Sequence, residues 1–173
     1  LVLALGMPGV LHAQFSSTAA GTWATPANWT PVSGANGPQI GAAGANDVTL
    51  THAITYTPGT TSAPGTTDFG VSNGNTLTVN AGGQFSNTNN SWVRIGQQGT
   101  GTVIVNNGGQ FNSGMARTVI VGAEGGNGTM TINSGGTSTI DEDFEIARSG
   151  NGSPSTGLVT INNGGVILSL IHI

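Results

Sequence analysis

The chain of 173 residues has no cysteine and no lysine, and only 6% of its residues are charged. Without cysteine there are no disulfides, no thiolate metal ligands and no thiol nucleophile. The compartment stays open on this ground, because exported proteins also do without disulfides. Three arginines stand against seven acidic residues, for a net charge of −4. That balance gives neither nucleic acid nor an anionic membrane an electrostatic footprint. No apolar run approaches the roughly 20 residues that a membrane-spanning helix needs. Neither a nucleic-acid partner nor membrane insertion is therefore expected. Scarce charge does not make the chain disordered, since disordered segments carry high net charge and few β-branched residues. Here Val, Ile and Thr recur in alternation, which reads as packed strands.

Glycine is abundant, with 30 residues. Much of it belongs to one phrase written four times: Gly74-Asn-Thr-Leu-Thr-Val-Asn-Ala-Gly-Gly83, Gly101-Thr-Val-Ile-Val-Asn-Asn-Gly-Gly109, Gly128-Thr-Met-Thr-Ile-Asn-Ser-Gly-Gly136 and Gly157-Leu-Val-Thr-Ile-Asn-Asn-Gly-Gly165. The phrases end at 83, 109, 136 and 165, a period of 26, 27 and 29 residues. A fixed period of this size means one structural unit stacked on itself.

Each unit alternates with period two, the mark of a half-buried strand. The inward positions of its first strand are Leu77 and Val79, Val103 and Val105, Met130 and Ile132, Val159 and Ile161. Thr78, Ile104, Thr131 and Thr160 fall between them and face outward. Half a repeat later come Val93/Ile95, Val119/Val121 and Phe144/Ile146. Phe85 and Phe111 begin a short third strand after the glycines. The next repeat has Thr137-Ser138 there, with Ile140 taking over after a shift. The pattern extends backward to Val48 and to Phe69-Gly-Val71, giving about five coils with the last cut short. Three short strands in 26–29 residues suit one coil of a single-stranded parallel β-helix, a β-solenoid. A propeller blade would need four strands and about 40 residues.

Asn80, Asn106, Asn133 and Asn162 hold the same place before each corner. Stacked amides can bond along such a column and form a ladder. The corner glycines are Gly82 and Gly83, Gly108 and Gly109, Gly135 and Gly136, Gly164 and Gly165, and they are expected to supply positive φ.

The two ends depart from the pattern. Residues 1–13 read as the remnant of a signal peptide cleaved after Ala13. Residues 14–47 form an irregular capping segment, and the repeats run over 48–167. Residues 168–173, Leu-Ser-Leu-Ile-His-Ile, break the repeat and match the translation of a transposon-end adapter, so they read as a non-native tail. An open column exposes strand edges. Trp23 and Trp29 are expected to cover the first coil, with a sugar-stacking platform as the alternative.

The opening Trp-x5-Trp…Pro…Asp-Val-Thr-Leu resembles the start of bacterial secreted β-helix proteins. The repeat Gly-x-Gly-Thr-Val-x-Val-Asn-Asn-Gly-Gly…Val-Ile-Val-Gly resembles autotransporter-associated β-strand repeats. Together they span roughly residues 15–167. The resemblance implies a right-handed β-helical passenger or stalk, secreted to or displayed on a bacterial outer surface as a structural or adhesive module. Its partners would be surface glycans or other cell-surface proteins.

Candidate chemistry is sparse. Asp141, Glu142 and Asp143 form the one acidic cluster, with Glu145 two residues on. Three readings stand: a solvated loop, a calcium contact, or the paired carboxylates of a polysaccharide-active enzyme. Asp143 and Glu145 would share the outward face with Arg94 two coils earlier. His52 lacks partners at metal-ligand spacing. Outward Ile104 and Ile120 fall on one coil, as a contact strip or as ordinary sheet surface. No catalytic residue, metal or cofactor is expected.

Overall fold

A computed structural model describes residues 13–31, 33, 37–41, 46–57, 68–114, 118–150 and 152–169. The described residues form a β-solenoid of three sheets, with a single short 3-10 turn at Pro26–Asn28. The first sheet runs in the order β16 (Thr156–Ile161), β13 (Asn127–Ile132), β10 (Thr100–Val105), β7 (Asn75–Val79), β4 (Asn46–Leu50), β1 (Ala13–Ser17) and β3 (Trp29–Thr30). The second comprises β17 (Val166–Ser169), β14 (Thr137–Ile140), β11 (Gln110–Asn112), β8 (Gln84–Asn87), β5 (Ala53–Tyr56) and β2 (Gly21–Thr22). The third comprises β15 (Asp143–Arg148), β12 (Thr118–Ala123), β9 (Val93–Gln97) and β6 (Phe69–Val71). The chain visits the three sheets in turn. Four complete coils, starting at β4, β7, β10 and β13, lie between the partial coils β1–β2 and β16–β17.

The strands form because alternate side chains have an interior to enter. Burial alternates along β7, β10 and β13, and the aliphatics are the buried partners. Val48, Leu77, Val103, Met130 and Val159 pair coil to coil in one column, the register read from the repeat. Removing each such side chain from water contributes about 1.5–3 kcal/mol. In the second sheet Ser138 pairs with Phe111, and the buried apolar side chain of that coil is Ile140, two residues on. The coil exchanges Phe111 and Ser113 for Ser138 and Ile140, all four buried. A large-small pair becomes small-large, which fills the interior without moving the register.

The four Asn form the ladder. Asn106 Nδ2 donates to Asn80 Oδ1 at 2.7 Å, Asn133 to Asn106 at 2.6 Å, and Asn162 to Asn133 at 2.6 Å. Each carboxamide donates to the rung one coil earlier, so the column has a direction. Each Asn also closes its corner, as when Gly109 N donates to Asn106 O at 2.8 Å.

The paired glycines serve two purposes rather than the single one expected. Only the first has positive φ, from 72° at Gly108 to 83° at Gly164. The second is forced by close approach. A Cβ on Gly109 would run into the carbonyl oxygen of Val79, and one on Gly83 into that of Leu50. The coil beneath lies too near for any side chain. The same logic governs Gly96 and Gly122, with φ of 75° and 81°, whose Cβ atoms would strike the carbonyls of Asn127 and Thr156 at the starts of β13 and β16. Ala147 holds the corresponding place in β15 at φ 59°, where no described coil lies over it.

The segment 14–47 contains paired strands as well as its irregular stretches. Phe15 pairs with Val48 in parallel and packs against the core, and Gly21 pairs with Ile54, so a partial coil already lies there. Capping falls to β3, which pairs antiparallel to β1 and covers the outer edge of the first sheet. At the other end Leu168 and Ser169 continue β17, paired with Thr139 and Ile140. Residues 1–12 and 170–173 lie outside the described residues.

Two glycine substitutions separate the two roles. Gly108→Asn keeps a residue that tolerates positive φ, and should cost less than about 1 kcal/mol. Gly109→Ala should cost roughly 1–3 kcal/mol, because the coil below must move. Denaturant titration would show the two equal if the close approach did not matter. Asn106→Asp with Asn133→Asp places like charges one coil apart, and should lower the melting temperature. An unchanged melting temperature would count against the ladder.

Candidate functional site: the outer face of the third sheet

Trp23 and Trp29 belong to the core, with exposures of 0% and 1%. Trp23 Nε1 donates to Pro38 O at 3.1 Å, and Trp29 Nε1 to Trp23 O at 2.9 Å. Their rings meet edge to face at 5.0 Å, and Trp23 abuts Phe69 at 5.2 Å. Buried on all sides, neither indole has a face for a sugar, which corrects the platform alternative. They close the interior of the first coils instead.

The acids at 141–145 do not converge. Asp141 and Glu142 form the bend before β15, where Asp141 N donates to Ser113 Oγ at 3.1 Å. Asp143 is exposed, and Glu145 pairs with Arg148 at 3.4 Å. Among the described residues no three His, Asp or Glu side chains are placed to hold a metal. His52 Nδ1 lies 3.0 Å from Ser17 O and 3.1 Å from Thr51 Oγ1, at a corner of the first coils.

Ile120 faces outward, yet it is 1% exposed and is not part of the interior cluster. It pairs with Arg94 below and Glu145 above. Its cover on the outer face removes it from the contact strip that sequence reading left open, while Ile104 stays partly exposed.

That cover belongs to a constellation missed in the sequence. Asp68 stands immediately before β6, and Trp92 immediately before β9. Because Phe69 pairs with Val93, the register sets Asp68 one coil below Trp92. The Asp68 carboxylate accepts from the Ser91 hydroxyl and from the Trp92 backbone N–H, and pairs with Arg94 at 3.1 Å. Arg94 also lies 3.9 Å from Glu124, whose carboxylate accepts from Gln97 at 2.9 Å and Gln98 at 3.2 Å. The half-buried Trp92 ring lies under two guanidinium groups, Arg94 at 4.3 Å and Arg148 at 4.8 Å from its centroid. Such contacts are worth about 0.5–2 kcal/mol each. An open cavity of about 240 Å³ is lined by Asp68, Asn90, Ser91, Trp92 and Arg94. Arg94 Nε is buried there without a hydrogen-bond partner. Aligning the second strands, and reading the residue just before each, would have brought Asp68 and Trp92 together from sequence.

No family model, curated protein or solved structure matches this chain.

The two arginine pairs should respond differently to mutation. Asp68 and Arg94 are 16% and 12% exposed, so Asp68→Ala leaves a desolvated guanidinium and should cost about 3 kcal/mol. Glu145 and Arg148 are 36% and 41% exposed, and Glu145→Gln should change stability by less than about 1 kcal/mol. Equal losses in urea denaturation would contradict Asp68 as the hub of this face.

Proposed function

We propose that the chain is an exported structural and adhesive module, the stalk or passenger of a bacterial surface protein, working without a chemical step. The observation that carries this reading is the unbroken coil-to-coil register of the sheets, reinforced by three successive Asn–Asn bonds. Stacking of this kind makes a rod, in which each coil is held by its neighbours. A rod separates what is attached at its two ends and presents long side faces.

Two sequence features support export and display. One is the apolar run through residues 1–13, which reads as the end of a secretory leader. The other is the resemblance of residues 15–167 to autotransporter-associated repeats. The absence of a chemical step draws its support from the engagement of the polar side chains. Asp68 holds a turn and an arginine, Glu124 receives two glutamine amides, and Glu145 holds Arg148. Partners of such a surface would be glycans or other surface proteins that meet the side faces.

Two measurements test this. Antibody against the purified chain should label intact source cells, and protease added outside should remove the label. Labelling only after lysis would overturn display. Incubation with a panel of acidic and neutral polysaccharides should release no new reducing ends. Release that disappears in Asp143→Asn/Glu145→Gln would establish a polysaccharide-active enzyme instead.

A further inference from the structure

We infer that Gln14 is a modification site, at which the exported chain closes its own amino terminus as a five-membered lactam. The inference rests on the export reading for cleavage after Ala13, and on the structure for what the new terminus meets.

β1 begins at Ala13, so cleavage after that residue makes Gln14 the first residue of the solenoid. The pairs that follow are kept: Gln14 with Asp47, Phe15 with Val48 and Ser16 with Thr49. Phe15 packs against the core and holds the strand in place. Gln14 is exposed, and its carboxamide has no hydrogen-bond partner among the described residues. β3 pairs only with Ser16 and Ser17, so the strand edge at Gln14 and Phe15 stays open.

The freed α-amino group and the side-chain carboxamide are nucleophile and electrophile within one residue, which raises their effective concentration steeply. Gln14 N attacks Gln14 Cδ. The N–Cδ bond forms, the Cδ–Nε2 bond breaks, and one amine proton leaves with Nε2 as ammonia. No oxidant, reductant or second substrate is required. The product suits its place. An uncyclised terminus would carry an ammonium in register with Asp47. Asp47 Oδ1 accepts from Thr76 N–H at 2.7 Å and so ties β4 to β7. An ammonium beside it competes for that carboxylate. The lactam is neutral and keeps one N–H for the strand, so the Asp47–Thr76 bond is left alone. It also removes the primary amine from an open edge, where trimming of the chain would start.

The test uses the protein recovered from its source cells. Amines are labelled on the intact protein first, so cyclisation during digestion cannot mimic the result. An endoprotease that cuts before aspartate then releases residues 14–46 as one peptide, since no aspartate precedes Asp47 in it. Tandem mass spectrometry should find it beginning at Gln14, unlabelled and lighter by one ammonia. Pyroglutamyl aminopeptidase should remove that first residue and expose Phe15. Gln14→Asn keeps the carboxamide but offers only a four-membered ring, so its terminus should be labelled and keep its full mass. A broad aminopeptidase should trim the variant and leave the parent intact. Circular dichroism melts check that both fold. A parent peptide that starts at Gln14 with a labelled amine overturns the inference and leaves cleavage and export standing. A blocked terminus in Gln14→Asn overturns it too, since the block would then be another acylation. A peptide that starts elsewhere overturns cleavage after Ala13, and the lactam falls with it.

Discussion

Parallel pairing of each coil with the next, at a spacing of about 4.8 Å, is the constraint on which everything else in this chain depends. It forces equivalent residues into vertical columns, so each position must tolerate its own neighbour above and below. Aliphatics tolerate this in the interior, and the column from Val48 to Val159 is the result. Charges do not, which is one physical reason for a composition with so few of them. Asn is favoured where the column leaves the sheet, because one carboxamide can donate downward and accept from above. Glycine is required where two backbones converge, and the carbonyls of Leu50 and Val79 under Gly83 and Gly109 show why.

Those columns are also what made the architecture readable. The phrase repeats, so its inward positions could be aligned by counting, and the first-sheet register follows without error. The ladder followed from the same alignment. Counting failed where the phrase was absent. The first partial coil uses Phe15 and Gly21 in the right places, but it has no Asn-x-Gly-Gly corner to announce it. The move of the apolar residue from Phe111 to Ile140 is legible in the sequence, but the unmoved backbone register is not. Sequence shows where an aromatic is missing, but only packing shows that a neighbouring volume compensates.

The outer face was the least legible part. Interior positions are fixed by period two and by apolar character, whereas outward positions accept almost any residue. Period two puts Arg94 on that face, but it says nothing of the residues just before the strands, which lie outside the alternation. Asp68 and Trp92 meet there because the third sheet starts one residue later in both coils. Ile120 shows the consequence. By alternation it faces solvent, yet Arg94 and Glu145 flank it and it is buried.

Aromatic rings are concentrated toward the N-terminal coils, where Trp23, Trp29, Tyr56, Phe69 and Phe85 pack together. The later interior is mostly Val, Ile and Met, with Phe111 and Phe144 as its rings. The ring-filled end thus includes the coils that carry Asp68 and Trp92. The constellation on the outer face draws Asp68 from one coil, Trp92 and Arg94 from the next, Glu124 from the third, and Glu145 with Arg148 from the fourth. No two of these coils can change their separation, because the rise is set by backbone hydrogen bonds. A loop-built site adjusts by moving, but this one can adjust only by substitution. Adding or removing a coil would displace its members by about 4.8 Å, beyond the reach of a 3 Å ion pair. Repeat number on this face is thus part of the site's geometry, while elsewhere along the rod it sets only length.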